Sequence, residues 1–62
     1  MKVVHRDKVW EFPGRLTVRE AIKKVGFHPQ AVLAVREGKL LTGDVVVGEN
    51  ETLKLISVVS GG

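Results

Sequence analysis

Two adjacent glycines, Gly61 and Gly62, follow the apolar run "LKLISVVS". Neither has a side chain that could act, so any chemistry at that end belongs to the carboxylate of Gly62. An α-carboxyl titrates at about 3.5 and is an anion at neutral pH. Glycine also lets a backbone pass into a narrow site on another molecule, since no Cβ stands in the way. Ser60, just before the pair, is small as well. A working carboxylate is one reading of this stretch. A frayed or appended end is the other, because glycine holds a strand poorly and chain ends are commonly loose.

The remaining reactive side chains offer less. His5 and His28 are the only two imidazoles, and there is no cysteine to join them in a metal site; both read as ordinary strand and loop residues, and no metal is expected. Asp7, Glu11, Glu49 and Glu51 follow no regular spacing that would set two carboxylates against each other for acid–base work. The glycines of "PGRL" and "GEN" lack the spacing and the Lys-Ser/Thr of a phosphate loop. Trp10 could stack a base, but it lies one strand period from Phe12, which points both toward a core. No catalytic side chain emerges.

The frame that must position these residues is small. Sixty-two residues make one domain, 44% of them hydrophobic, enough for a core without disulfides. The lack of cysteine excludes zinc ribbons, thiolate nucleophiles and redox motifs. No apolar run approaches the roughly 20 residues that span a bilayer, so a soluble, cytoplasmic protein without membrane contact is expected. A net charge of +3, with acids scattered among ten basic residues, describes a solvated surface, and direct nucleic-acid binding is not expected.

"KVVHR" and "KVWEF" read as two strands of a hairpin, joined at Arg6-Asp7. "TVREAIKKVGF" reads as a helix. Thr17 and Glu20 have the spacing of a capping box. Val18, Ala21, Ile22 and Val25 form one apolar stripe. Lys23 and Lys24 sit at the negative end of the dipole, and Gly26 and Pro29 stop the helix. "AVLAVREGKLL" is a strand, a Glu37-Gly38 turn and a short return, and "TGDVVVGENE" reads as connection with Val45 to Val47 packing beneath the core. "TLKLISVV" is the last strand. The order is β-β-α-β-β-β, an α+β roll with one helix covering one face of a sheet. The expected domain is residues 1–59, with a flexible tail over 60–62.

This succession of elements, with "AVREGKLL" before the connection and "TLKLISVVSGG" after it, resembles the ubiquitin-like β-grasp family. More narrowly it is similar to the small sulfur carriers of thiamine, molybdopterin and tRNA-thiolation pathways. The resemblance covers essentially the whole chain. It implies a mixed sheet whose last strand lies centrally, parallel to the first, with the helix packed across it. It also implies that Gly62 is adenylated on a partner enzyme and then converted to a thiocarboxylate, with Ser60 and Gly61 as the tail that reaches the site. The protein would then be a substrate, not an enzyme. It would bind no cofactor itself, and its partner would use ATP. The implied partners are a ubiquitin-activating-like adenylating enzyme, a sulfur donor of desulfurase or rhodanese type, and a downstream sulfur-accepting synthase.

On the last strand Leu53 and Leu55 share one face, and Lys54, Ile56 and Val58 share the other. If the helix covers the leucines, Ile56 and Val58 stay exposed. Val35 of the neighbouring strand is expected beside them, and the resemblance puts the partner-binding patch on this face. Two other functions stay open: a modifier conjugated to lysines through the same glycine, and a small basic RNA- or protein-binding β-grasp module without terminal chemistry.

Overall fold

In the computed structural model, which describes residues 1–58, β1 (Lys2–His5) and β2 (Lys8–Glu11) form an antiparallel hairpin through Arg6-Asp7. A two-residue strand, β3 (Leu16–Thr17), leads into α1 (Val18–Lys24). Then come β4 (Val32–Arg36), β5 (Lys39–Leu41), the two-residue β6 (Val46–Val47) and β7 (Thr52–Ser57). The main sheet has five strands in the order β2-β1-β7-β4-β5. β7 lies at its centre, parallel to β1 and antiparallel to β4. With its single helix on one face, this is the α+β β-grasp arrangement anticipated from the sequence. The expected boundary after residue 59 and the tail residues Ser60, Gly61 and Gly62 lie outside the described residues.

The helix is defined at both ends by local chemistry. The Thr17 hydroxyl oxygen accepts from the Glu20 N–H at 3.2 Å, and the Glu20 carboxylate accepts from the Thr17 N–H at 3.1 Å. The next free donors are met from a distant loop: the Val45 carbonyl accepts from Val18 N–H and the Gly43 carbonyl from Arg19 N–H, each at 2.9 Å. The first-turn N–H groups, which have no partner inside the helix, are thereby satisfied. At the other end Gly26 takes φ +92°, and its N–H donates to the Lys23 carbonyl while Phe27 N–H donates to that of Ile22. That pair of bonds is the Schellman termination.

Val18, Ala21 and Ile22 of the helix pack with Val3, Val32, Ala34, Leu53 and Leu55 of the sheet, all buried. Trp10 and Phe12 are half-buried against this core, on the face their spacing predicts. The 42–51 connection differs from expectation. Val46 and Val47 form a strand that pairs with Leu16 and Thr17, turning part of the expected loop into a second, two-stranded sheet. Two residues are too few to show an alternating pattern, so the sequence carries no strand signal there. Val47 is fully buried and Val45 packs against the core, while Val46 between them is 52% exposed.

Candidate functional site

The strand registers assemble the open face residue by residue. Leu40 lies opposite Val35, Val35 opposite Lys54, Lys54 beside Val4, and Val4 opposite Val9. These positions make one row across all five strands of the main sheet, four apolar side chains with a single lysine on the central strand. Neighbouring strands lie about 4.8 Å apart, so the row is continuous. One period along, Ile56 lies opposite Leu33. Leu40 is 67% exposed, Val9 55%, Val58 46%, Leu33 44% and Ile56 43%. Single exposed aliphatics are ordinary; a contiguous set of this kind makes the face a candidate contact surface.

Of the residues anticipated for a partner-binding patch, Lys54 and Ile56 are exposed on β7, Val35 is half-buried beside Lys54, and Val58 is exposed just past the strand. Leu33, Leu40, Val4 and Val9 were not among them. Leu33 alternates with Val35 in "VLAVR", so strand parity alone could have added it. Leu40 and the two valines needed the pairing of distant strands, which the sequence does not spell out.

The chain leaves the sheet under two constraints. Val58 N–H donates to the Ala31 carbonyl at 2.9 Å, which extends the β4–β7 ladder one step past Ser57. The Ser57 hydroxyl meets His5 Nε2 at 2.7 Å, and the His5 ring lies edge-on to Phe27 with centroids 4.8 Å apart. His5 thus joins the first strand to the end of the central one. His28 lies elsewhere, lining a groove beside the helix. Among the described residues no three of His, Cys, Asp and Glu gather as a metal-binding group.

The carboxylates do structural work. Glu51 accepts from Gly48 N–H at 2.6 Å and from Arg36 at 3.1 Å. Hydrogen bonds from the Thr17 backbone and hydroxyl hold the Glu20 carboxyl below its ordinary range, with a smaller contribution from Lys24. The Thr42 hydroxyl does the same for Asp44, helped by its backbone and by Arg19 nearby. Of these, Glu51 lines a pocket that reaches Val35 and Lys54 of the open face. Among the described residues no helix is long and apolar enough to cross a membrane.

No family model matches the sequence. The chain is 40% identical, over 65 aligned positions that span all of both chains, to Sulfur carrier protein TtuB of Thermus thermophilus.

Proposed function

The chain belongs to the ubiquitin-like sulfur carrier family, and on that premise we propose that the carboxylate of Gly62 is the group that carries the sulfur. The observation that carries this reading is full-length identity with a named sulfur carrier, together with the Gly61-Gly62 pair. In the proposed cycle a carboxylate oxygen attacks the α-phosphorus of ATP held by an adenylating partner, and pyrophosphate leaves. The resulting mixed anhydride makes the acyl carbon a good electrophile, which a carboxylate is not. The persulfide of a sulfur donor of desulfurase or rhodanese type then displaces AMP to give an acyl disulfide. A thiol reductant cleaves its S–S bond, leaving the thiocarboxylate for a sulfur-accepting synthase and the donor cysteine in a disulfide with that thiol. Thiamine biosynthesis and tRNA thiolation are the destinations proposed. The carrier supplies a substrate group and a surface, and the catalysts are its partners.

The open face is the proposed docking surface for the adenylating partner. An apolar row supplies contact area, and Lys54 at its middle calls for a carboxylate opposite, fixing orientation more than adding affinity. Lys54 and Ile56 lie on the strand that precedes Ser60 and Gly61 in the chain, with Val58 just past its end, so recognition and delivery share one segment.

ATP–pyrophosphate exchange with the cognate adenylating enzyme tests the reading, using the 62-residue chain and a version with one alanine appended. The extra residue moves the carboxylate by about 3.5 Å and introduces a Cβ. A misplacement of even about 1 Å can cost a hundredfold in rate, so exchange should nearly vanish while binding persists. With a sulfur donor and a thiol reductant added, the parent should gain about 16 Da, sulfur replacing oxygen in the acyl product. Equal exchange by both chains would overturn the proposal.

A further inference from the structure

A second surface lies on the helix side of the sheet and reaches the open face only at Leu33. It is a groove of about 620 Å³ between α1 and the start of β4. Val18, Ile22 and Val32 contribute apolar lining, Arg19 and Lys23 contribute cations and His28 an imidazole; among the described residues no carboxylate lines it. Arg19 and Lys23 stand four residues apart on exposed positions of the helix, where like charges repel. Neither makes a salt bridge among the described residues, where Arg36–Glu51 is the pair present. Asp44 is near Arg19 but is bound by the Thr42 hydroxyl at 2.6 Å, outside the groove.

The groove also contains an unfinished sheet edge. The β4–β5 ladder runs from Arg36↔Lys39 to Ala34↔Leu41 and stops, whereas β7 pairs with β4 as far as Val32. The two-residue Glu37-Gly38 turn makes Arg36 and Lys39 a hydrogen-bonded pair, so Arg36, Ala34 and Val32 all turn their N–H and C=O toward the β5 side. The bond from Val58 N–H to the Ala31 carbonyl confirms the phase, since odd positions of this segment face β7. In a continued ladder Val32 would meet Gly43. The Gly43 carbonyl instead accepts from Arg19 N–H at 2.9 Å, so the chain has turned away to cap the helix. The backbone donor and acceptor of Val32 are thus directed past the end of β5, between the helix cations and an apolar floor.

We propose that this groove binds an extended acidic peptide segment of a partner protein, paired with Val32 as a short added strand, with its carboxylates against Arg19, Lys23 and His28. A strand supplies a donor and an acceptor to Val32 at the spacing of a ladder and carries apolar side chains for the floor, whereas the phosphates of a nucleic acid supply acceptors alone. The apolar floor suits the alternate side chains of the same strand. The site stands whether or not Gly62 carries sulfur.

The test titrates a short synthetic peptide of alternating glutamate and valine into the ¹⁵N-labelled full chain. The amides of Arg19, Val32, Leu33 and Gly43 should shift. The double substitution Arg19→Glu with Lys23→Glu, at exposed positions, should weaken binding at least tenfold while other amide resonances stay in place. Peptides N-methylated at alternate residues should differ: one phase blocks pairing, the other still binds. Equal binding of the two phases, shifts confined to the Ile56 face, the same shifts with oligouridylate, or no shift at millimolar peptide would each overturn the proposal.

Discussion

Thr17 is half-buried at a helix start, and its side chain and backbone both engage one glutamate. Thr17→Ala should cost about 1 kcal/mol, the usual value of an N-cap, read as a lower midpoint in urea denaturation. The Thr17 backbone and hydroxyl depress the Glu20 carboxyl in the folded chain, so protonation is harder there than in the unfolded chain. The carboxylate's share of the cap is therefore complete above the ordinary value of 4.5 and is lost as pH falls below it through the lowered folded value. Thr17→Ala keeps the backbone bond to Glu20 and removes the hydroxyl, so its difference from the parent should shrink in part over that acid interval; a constant difference would mean that the Thr17 hydroxyl does not hold the Glu20 carboxylate. This cap was legible in the sequence because donor and acceptor lie three residues apart. The His5–Ser57 contact spans the chain and has no such signature, so neither residue stood out.

At the level of the strand, β7 carries two duties on alternate residues. Leu55 is 2% exposed against the helix, whereas Ile56 beside it is 43% exposed on the open face. Leu55→Ala should cost roughly 2–5 kcal/mol, since a buried site collapses only partly around the void. A domain of this size has a total stability of only about 3–9 kcal/mol, so that loss is a large share. Ile56→Asp should cost about 1 kcal/mol or less, the span of β-propensity at such a position. It should nevertheless weaken binding to the adenylating partner more than tenfold, about 1.4 kcal/mol. Thermal melts and partner titration of the same two variants would separate the duties; a large loss of melting temperature in Ile56→Asp would place Ile56 in the core. The alternation of β7 was readable from "TLKLIS", and so was the side the helix takes. The extent of the patch was not, because Val4, Val9 and Leu40 join it through pairings between strands far apart in sequence. The pairing of β3 with β6 escaped for the complementary reason: each strand is too short to carry a pattern of its own.

At the scale of the whole molecule, the centre of the sheet is supplied by its latest strand. Lys2 pairs in parallel with Thr52, and a parallel neighbour cannot be reached through a hairpin. Until Thr52–Ser57 is present, β1 and β4 have no strand between them, and the leucines that fill the core are missing. Such a chain has mostly distant pairings, which sets its folding on the millisecond side for domains of its size. A chain stopped after Glu51 should show no dispersed amide spectrum and no cooperative melt, however good its helix cap. A product interrupted on the ribosome before Thr52 would therefore have neither the buried Leu53 and Leu55 nor the exposed Ile56, and the last strand made would complete the core and the open face in one event.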